Sequence, residues 1–204
     1  MRYNKKKFIY LISPLKIEKN FFKHLNEVLK QEKTSFFQLR LKKESLKKKL
    51  IIGRRVQKIC KKFKVKFLIN DDAHLAKKLN ADGCHLGQKD MDIFEARKLI
   101  GNRIIGITCH NSIKLAKTAI KNKADYIAFG AFNMSKTKKI KHRASINLLK
   151  KARKIIKTPI VVIGGINSKN YKNLLLNKAN FLAISGYIWK NKLFNPKNAM
   201  RKLK

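Results

Sequence analysis

The sequence predicts a single-domain α/β protein, a (β/α)8 TIM barrel over residues 1–204, and three observations support this prediction. Eight short apolar runs recur along the chain, and lysine-rich stretches with helical spacing separate them. Most of the runs are continuously apolar, which is typical of parallel strands covered on both faces. A length of 204 residues suits one domain with a sizeable core. An open doubly wound sheet is the main alternative, although no GxGxxG motif follows the first strand.

The strands are predicted wherever β-branched and aromatic residues concentrate. They cover residues 8–13, 35–41, 66–70, 83–87, 103–109, 125–130, 159–165 and 181–185. The first intervening stretch shows the helical pattern, with Ile17, Phe21, Leu25 and Leu29 spaced four residues apart. We therefore expect helices between the strands.

Polar residues before several helical stretches predict helix N-caps, because their side chains can accept hydrogen bonds from the first free backbone N–H groups. Asp92 and Ser112 are the predicted caps of two helices, and Asn167 or Ser168 of another.

Composition excludes several classes of protein. No apolar run reaches the roughly 18 residues that a membrane span requires. The basic and then apolar opening, residues 1–13, lacks a small-residue cleavage site, so we interpret it as the first strand and not as an export signal. The three cysteines form no CxxC pair and no cluster with histidine, which favours the cytoplasm over a disulfide framework or a structural zinc site.

The net charge of +40 invites a nucleic-acid interpretation, since basic surfaces attract phosphate backbones. However, 42 of the 51 basic residues are lysine, and they are spread through every segment. A biased codon composition explains this distribution without a selected partner. We therefore predict no specific nucleic-acid function and no membrane partner, and we make no prediction of a homo-oligomer.

Polar side chains alternate where the second strand ends. Period-two alternation places Gln38, Arg40 and Lys42 on one face, where an amide, a guanidinium and an ammonium could bind one anion. In a barrel of this kind, active sites lie at the carboxyl ends of the strands. A charged strand end that simply reaches water is the alternative.

Acidic residues are scarce, yet six of the eleven lie between residues 71 and 95. Asp82 suits a turn, Asp92 a helix cap and Glu95 a first helical turn. Asp71 and Asp90 remain, at the ends of neighbouring strands. Two carboxylates facing a basic cluster suit Mg²⁺, which takes one or two carboxylates and completes its shell with substrate oxygens and water. Salt bridges to lysines are the alternative on these residues alone.

Further anion-binding features follow the sixth and seventh strands. The loop with Ser135, Thr137 and Lys138 combines hydroxyl and ammonium groups, without a P-loop pattern. Gly164-Gly165, which we expect to be followed by a helix start, could admit a phosphate to backbone N–H groups. A tight turn explains the glycines equally well. His110 after the fifth strand is more typical of a structural histidine.

Eight motifs in order carry a resemblance over residues 8–188: QLRLK, LINDD, ADGCHLGQKD, IIGITCH, ADYIAFG, SKTK, PIVVIGGI and FLAIS. This set resembles the thiamine-phosphate synthase (thiamine-phosphate pyrophosphorylase) family. The resemblance implies a (β/α)8 transferase that couples hydroxymethylpyrimidine pyrophosphate to a thiazole phosphate, carboxylated or not. Thiamine monophosphate and pyrophosphate are the implied products, formed with Mg²⁺ by a dissociative mechanism.

The resemblance also implies roles for individual residues. The pyrimidine pyrophosphate would be bound by Gln38, Arg40, Lys42, Asn70, Thr108 and Lys138. The thiazole phosphate would be bound by Ser135, Thr137, Gly165, Ile184 and Ser185. Thr108 and Lys138 would be catalytic, Asp71 and Asp90 would hold Mg²⁺, and Asp72 would not be a ligand.

The sequence departs from the family pattern in one loop. The family pattern GPxxPT is replaced by Gly130-Ala131-Phe132-Asn133-Met134-Ser135, without either proline, and we expect a more flexible free loop. A related barrel enzyme, the thiazole tautomerase, is the alternative within the fold, but it generally lacks the intact QxRxK set. A polyanion- or RNA-binding protein on an inactive barrel is the alternative from another class.

Overall fold

Eight parallel strands close into a barrel in the order of the sequence. The computed structural model describes residues 7–133 and 142–203. The strands are β1 Ile9–Ile12, β2 Thr34–Leu39, β3 Lys66–Asn70, β4 Gly83–Leu86, β5 Ile104–Thr108, β6 Tyr126–Gly130, β7 Ile160–Ile163 and β8 Phe181–Ile184. The helices are α1 Phe21–Leu29, α2 Leu46–Lys62, α3 Ala73–Lys78, α4 Ile93–Ile100, α5 Ile113–Lys121, α6 Ile146–Ile155, α7 Tyr171–Leu176, α8 Gly186–Trp189 and α9 Pro196–Arg201. Among these helices, none is long and apolar enough to cross a membrane.

The predicted fold class is confirmed, and each observed strand coincides with a predicted run. Most strands are one or two residues shorter than predicted, with the difference at either end. The most informative difference between the predicted and the observed strands is at β2. It ends at Leu39, so the strand alternation predicted through Lys42 stops before Arg40. Gln38 therefore lies within the barrel wall, whereas Arg40 and Lys42 belong to the loop at its mouth.

Alternate strand residues separate into an inner and an outer core, as strand geometry requires. The outer core packs the strands against the surrounding helices and includes Leu11, Phe37, Phe67 and Ile105. The inner core fills the barrel with Tyr10, Ile12, Phe36, Leu68, Ile104, Tyr126, Ala128, Val161, Phe181 and Ala183. Within the described residues, the barrel interior is thus a packed core and not a pore.

Aromatic rings occupy much of the barrel interior. Tyr10 and Tyr126 meet edge to face with their centroids 5.7 Å apart, and Phe36 and Phe181 do so at 5.0 Å. Glycine on a neighbouring strand makes room for them. A Cβ at Gly106 would lie only 1.8 Å from the Tyr126 ring, so the ring occupies the space that a side chain on β5 would need.

Two of the predicted helix caps are confirmed and one is wrong. Asp92 accepts a hydrogen bond from the Phe94 N–H, and Ser112 caps α5 in the same way. In contrast, α7 begins after Asn170, without a side-chain cap. The Asn170 carboxamide instead accepts from the Asn167 N–H and donates to the Gly165 carbonyl. A hydrogen-bonded turn therefore separates the glycine pair from the helix start.

Gly106→Ala should destabilise the protein by about 1–3 kcal/mol, because the new methyl group must displace the buried Tyr126 ring. Gly53→Ala is the matched control. Its methyl group would meet the flexible end of Leu79, and alanine within α2 gains roughly 1 kcal/mol of helix propensity. Urea denaturation of both variants measures the difference. Equal stability of the two variants would contradict the tight packing inferred around Gly106.

Candidate active site

Charged side chains converge at the barrel mouth after β2 and β3. The Lys42 ammonium lies 2.5 Å from the Asp71 carboxylate, so residues from two loops form an ion pair. The backbone N–H of Arg40 donates to the Ser13 hydroxyl, which fixes the start of the β2 loop against the end of β1. Burial lowers the pKa of the Arg40 guanidinium, and the negative charge of Asp71 opposes this effect. Arg40, Lys42 and Asp71 therefore share one electrostatic environment.

Asp71 follows Asn70, the last residue of β3, in a conformation that few residues other than glycine adopt. Its φ angle is 63°, in the left-handed region, and its N–H donates to the His85 carbonyl at 2.8 Å. This hydrogen bond joins the mouth ends of β3 and β4. The carboxylate of the next residue, Asp72, caps α3 by accepting a hydrogen bond from the Leu75 N–H.

Asp71 and Asp90 come together as the sequence predicted. Their carboxyl groups lie close enough for the charge of one to act on the other, and Asp90 accepts a hydrogen bond from the Gly87 N–H at 2.6 Å. Burial and the neighbouring Asp71 raise the pKa of Asp90, against the Gly87 hydrogen bond. Burial alone would also raise the pKa of Asp71, but hydrogen bonding and ion pairing with Lys42 bring it below its ordinary value. Two adjacent carboxylates that repel each other in this way form a suitable site for a cation.

Gln38 lies deeper than the other predicted binding residues. Only 3% of it is exposed, and its amide N–H donates to the Tyr10 hydroxyl at 3.0 Å inside the barrel. The sequence prediction that Gln38 shares a face with Arg40 and Lys42 in one extended strand is therefore wrong, because the strand ends at Leu39. Its predicted role in pyrimidine binding stays a prediction.

Gln38 begins a chain of hydrogen bonds that crosses the barrel interior. The Tyr10 and Tyr126 hydroxyls lie 2.7 Å apart, and the Tyr126 hydroxyl lies 2.9 Å from His85 Nδ1. His85 Nε2 lies 2.8 Å from the Thr108 hydroxyl. Thr108 is the last residue of β5 and a predicted catalytic residue, so the chain ends at the mouth.

Sequence reasoning missed the three middle members of this chain. Tyr10, His85 and Tyr126 appeared only as parts of strand runs. A signal was available, because polar aromatic residues within apolar strands need a buried hydrogen-bond partner. Alternation also places Tyr126, Ala128 and Gly130 on one face of β6, but it does not reveal which side chains on other strands they meet.

The seventh and eighth strands supply a second part of the mouth. Gly164 and Gly165 both have positive φ angles, 112° and 56°, which explains glycine at the turn after β7. The predicted helix start directly after them is wrong, since α7 begins at Tyr171. Ile184 ends β8, and the Ser185 hydroxyl donates to the Ser13 carbonyl at 3.1 Å. Gly165 and Ser185 thus lie at the mouth ends of adjacent strands, where the predictions placed them.

Three predicted site residues, Ser135, Thr137 and Lys138, lie outside the described residues. His110, just after β5, has a φ angle of 51°, and its ring packs 4.3 Å from the His142 ring. This packing agrees with a structural histidine.

The closed barrel with charged residues at its mouth places the chain among the TIM-barrel proteins, and comparisons with known proteins narrow this class to one family. Residues 9–188 match the family model described as thiamine monophosphate synthase. A thiamine-phosphate synthase of Pelagibacter ubique is 66% identical over the whole of both chains. One from Erythrobacter litoralis is 39% identical, over 89% of this chain and 87% of its own.

Solved structures agree with these sequence matches. Thiamine phosphate pyrophosphorylase from Pyrococcus furiosus superposes with a TM-score of 0.86 at 26% identity, over 98% of this chain and 94% of that one. A 3-hexulose-6-phosphate synthase superposes at 0.65 with 16% identity, a likeness of fold alone. The chain belongs to the thiamine monophosphate synthase family. The predictions of an enzyme of thiamine-phosphate synthesis and of phosphorylated small-molecule substrates are confirmed at this level.

The half-buried imidazole of His85 should make stability depend on pH. Burial lowers its pKa from 6.5 to about 4, against the opposing charge of Asp71. The unfolded chain therefore takes up this proton near pH 6.5, whereas the folded protein stays neutral until about pH 4. This contribution to stability is complete above pH 6.5 and is lost as pH falls toward 4, by up to about 1.4 kcal/mol per unit.

Urea denaturation between pH 7 and 4.5 tests this expectation, with His85→Asn as the control that cannot titrate at this position. The wild type should lose stability more steeply than the variant. Parallel pH curves for the two proteins would rule out the lowered pKa assigned to His85.

Proposed function

We propose that the chain joins hydroxymethylpyrimidine pyrophosphate to a thiazole phosphate, carboxylated or not. The products are thiamine monophosphate and pyrophosphate, with CO2 from the carboxylated thiazole. The observation that carries this proposal is the pairing of Asp71 with Asp90 beside Lys42 and Arg40 at one barrel mouth. A pyrophosphate group and its cation require this combination of negative and positive side chains.

Mg²⁺ fits the residues present, and Asp71 and Asp90 are the side chains that would hold it. They provide two adjacent oxygen ligands of the type that Mg²⁺ prefers. Bound there, the ion would neutralise negative charge on the pyrophosphate as it departs. Lys42 already pairs with Asp71, so its ammonium lies where it can contact the same pyrophosphate.

The remaining residues act by positioning and by charge. Departure of pyrophosphate before attack by the thiazole nitrogen leaves a pyrimidine carbocation, so no protein nucleophile is needed. Arg40, Lys42 and Asn70 would bind the pyrophosphate near the carboxylate pair, and the Thr108 hydroxyl would donate to the leaving group from β5. Lys138 completes the predicted pyrophosphate site. Preorganised donors of this kind contribute most where negative charge increases during the reaction.

The thiazole phosphate would occupy the other half of the mouth. The glycine turn after β7 exposes backbone without side chains, and the Gly165 carbonyl is already held by Asn170. Ile184 and Ser185 at the end of β8 form the adjacent wall. Ser135 and Thr137 are the predicted hydroxyl donors of the same site. Two anion sites facing each other across one mouth bring the reacting carbon and nitrogen together.

We place this enzyme in the cytoplasm, without a specific nucleic-acid partner. Cys60, Cys84 and Cys109 are all buried as free thiols, which suits a reducing compartment. Burial raises the pKa of Cys84 to about 12 and that of Cys109 likewise, so neither thiol is reactive at neutral pH.

The direct test measures thiamine monophosphate formed from both phosphorylated precursors, with Mg²⁺ and with a chelator. We expect product with Mg²⁺ and its loss, by at least about 100-fold, with the chelator. Equal rates under both conditions would remove the metal from the proposal. No product from folded protein would overturn the proposed reaction and favour the tautomerase or a polyanion-binding role.

Asp71→Asn and Asp90→Asn should each lower kcat/KM by about 100-fold or more, because each removes one negative oxygen ligand without changing side-chain size. Asp72→Asn is the matched control, since it changes an adjacent carboxylate that caps α3 and asparagine also caps helices well. Steady-state rates across a Mg²⁺ titration compare the three. The metal assignment is wrong if Asp72→Asn loses as much activity as the other two variants.

A further inference from the structure

We infer that Ser13 is a positioning residue that holds the two proposed anion sites of the mouth at a fixed separation. It lies directly after β1, between the β2 loop that carries Arg40 and the end of β8 that carries Ser185. The inference rests on the proposed function to the extent that the two anions are pyrophosphate and the thiazole phosphate. It adds to that function a residue that lies outside all eight sequence motifs.

Every polar group of Ser13 is hydrogen-bonded. Its N–H donates to the Gln38 carbonyl at 2.9 Å and continues the pairing of β1 with β2. Its hydroxyl accepts from the Arg40 N–H at 2.9 Å and donates to the Pro14 carbonyl, also at 2.9 Å. Its carbonyl accepts from the Ser185 hydroxyl at 3.1 Å. Only 2% of Ser13 is exposed, so water has little access to replace these partners.

The hydroxyl of Ser13 takes the place of a backbone carbonyl in the strand pairing. In a regular parallel pair, a residue that donates its N–H to one position of the neighbouring strand accepts, with its carbonyl, from the N–H two positions further on. Ser13 donates to Gln38, so a regular pair would join its carbonyl to the Arg40 N–H. That N–H is bonded to the Ser13 hydroxyl, and the carbonyl accepts from Ser185 on the other side. One residue thus holds β2 and β8 through two different oxygen atoms.

Both neighbours of Ser13 belong to the proposed anion sites. β2 ends at Leu39, so Arg40 is the first residue of the loop, and the Ser13 hydroxyl fixes the point from which its side chain reaches the pyrophosphate. Ser185 directly follows β8 in the wall of the thiazole-phosphate site. The two anions belong to the two reacting molecules, so the separation of these sites determines how close the reacting carbon and nitrogen come.

The chain leaves the barrel wall immediately after Ser13. Pro14 has no N–H with which to extend the strand pairing, and Leu15 is already 46% exposed. The β8 side has a second link to β1, because the Trp189 indole N–H donates to the Ile12 carbonyl at 2.7 Å. Loss of the Ser13 hydroxyl should therefore displace the β2 loop more than the end of β8.

The experiment compares Ser13→Ala with Ser13→Thr. Ser13→Ala removes the hydroxyl, so the Arg40 N–H must turn to the carbonyl of residue 13 and the loop must move with it. We expect the affinity for pyrophosphate in the presence of Mg²⁺, measured by calorimetry, to fall about tenfold. At saturating concentrations of both precursors, kcat should fall by about tenfold or more, because the reacting atoms are misplaced. Ser13→Thr retains the hydroxyl and should stay within about twofold of the wild type in both measurements.

Ser35→Ala is the matched control. The Ser35 hydroxyl donates to the Lys7 carbonyl, so it forms the same kind of contact between β2 and the segment of β1, but at the opposite end of the barrel. This variant should bind pyrophosphate and turn over as the wild type does. Thermal unfolding of every variant identifies losses that are due to folding alone.

A double-mutant cycle with Arg40→Met provides a second test, should the added methyl group of Ser13→Thr fit poorly. Without the guanidinium, the Ser13 hydroxyl has no charged group of Arg40 to position. Ser13→Ala should then lower pyrophosphate affinity by at most about twofold further. An equal loss with and without the Arg40 guanidinium would assign Ser13 a purely structural role and overturn the inference.

The remaining outcomes separate the role of Ser13 from the proposed reaction. Unchanged kcat in folded Ser13→Ala would overturn the fixed separation of the two sites, and unchanged pyrophosphate affinity would overturn the positioning of Arg40. Affinity that falls in Ser13→Ala and returns in Ser13→Thr, in a protein that forms no thiamine monophosphate, would uphold the positioning of Arg40 and refute the proposed reaction instead.

Discussion

Closure of the barrel is the constraint on which the other features depend. Eight short parallel strands turn every second side chain into a narrow interior, where each polar group must find its partner among other inward-facing side chains. Large rings on β1, β2, β6 and β8 fill this space, and glycine on β5 compensates for them. The Tyr10 and Tyr126 hydroxyls hydrogen-bond to each other, and Gln38 and His85 each contact one of them. The packing of the interior rings and the hydrogen bonding of the interior polar groups therefore depend on each other.

The barrel mouth differs from the interior because it is accessible to water. Interactions between charged side chains determine its structure. In a chain with 51 basic residues, an acidic side chain finds a cation easily, so an ion pair alone says little about function. Asp82 and Asp125 show the ordinary result, each pairing with a basic residue while accepting a backbone N–H. Asp71 and Asp90 differ because each lies against the other carboxylate. This pairing of like charges is the observation on which the proposed cation site rests.

The sequence was sufficient for the fold because strands buried on both faces are continuously apolar, and eight of them at regular spacing leave few alternatives. It was sufficient to bring Asp71 and Asp90 near each other, because strand ends in a parallel barrel meet at one mouth, and their role as metal ligands stays a prediction. It failed where the outcome depends on contacts between distant strands. Period-two alternation could not show that β2 stops at Leu39, that Asn167 and Asn170 form a turn at Gly165, or that Tyr126 lies between Tyr10 and His85.

Gln38 connects the barrel interior with its mouth. An amide side chain has two N–H donors and one carbonyl acceptor, and the hydrogen bond to Tyr10 uses only one of these donors. Donating to Tyr10 inside the barrel and binding a pyrimidine at the mouth are therefore compatible tasks for one residue. A carboxylate at this position would have no N–H to donate to Tyr10, so the interior hydrogen bond requires the amide. The same residue would then join the hydrogen-bonded interior of the barrel to the proposed substrate site at its mouth.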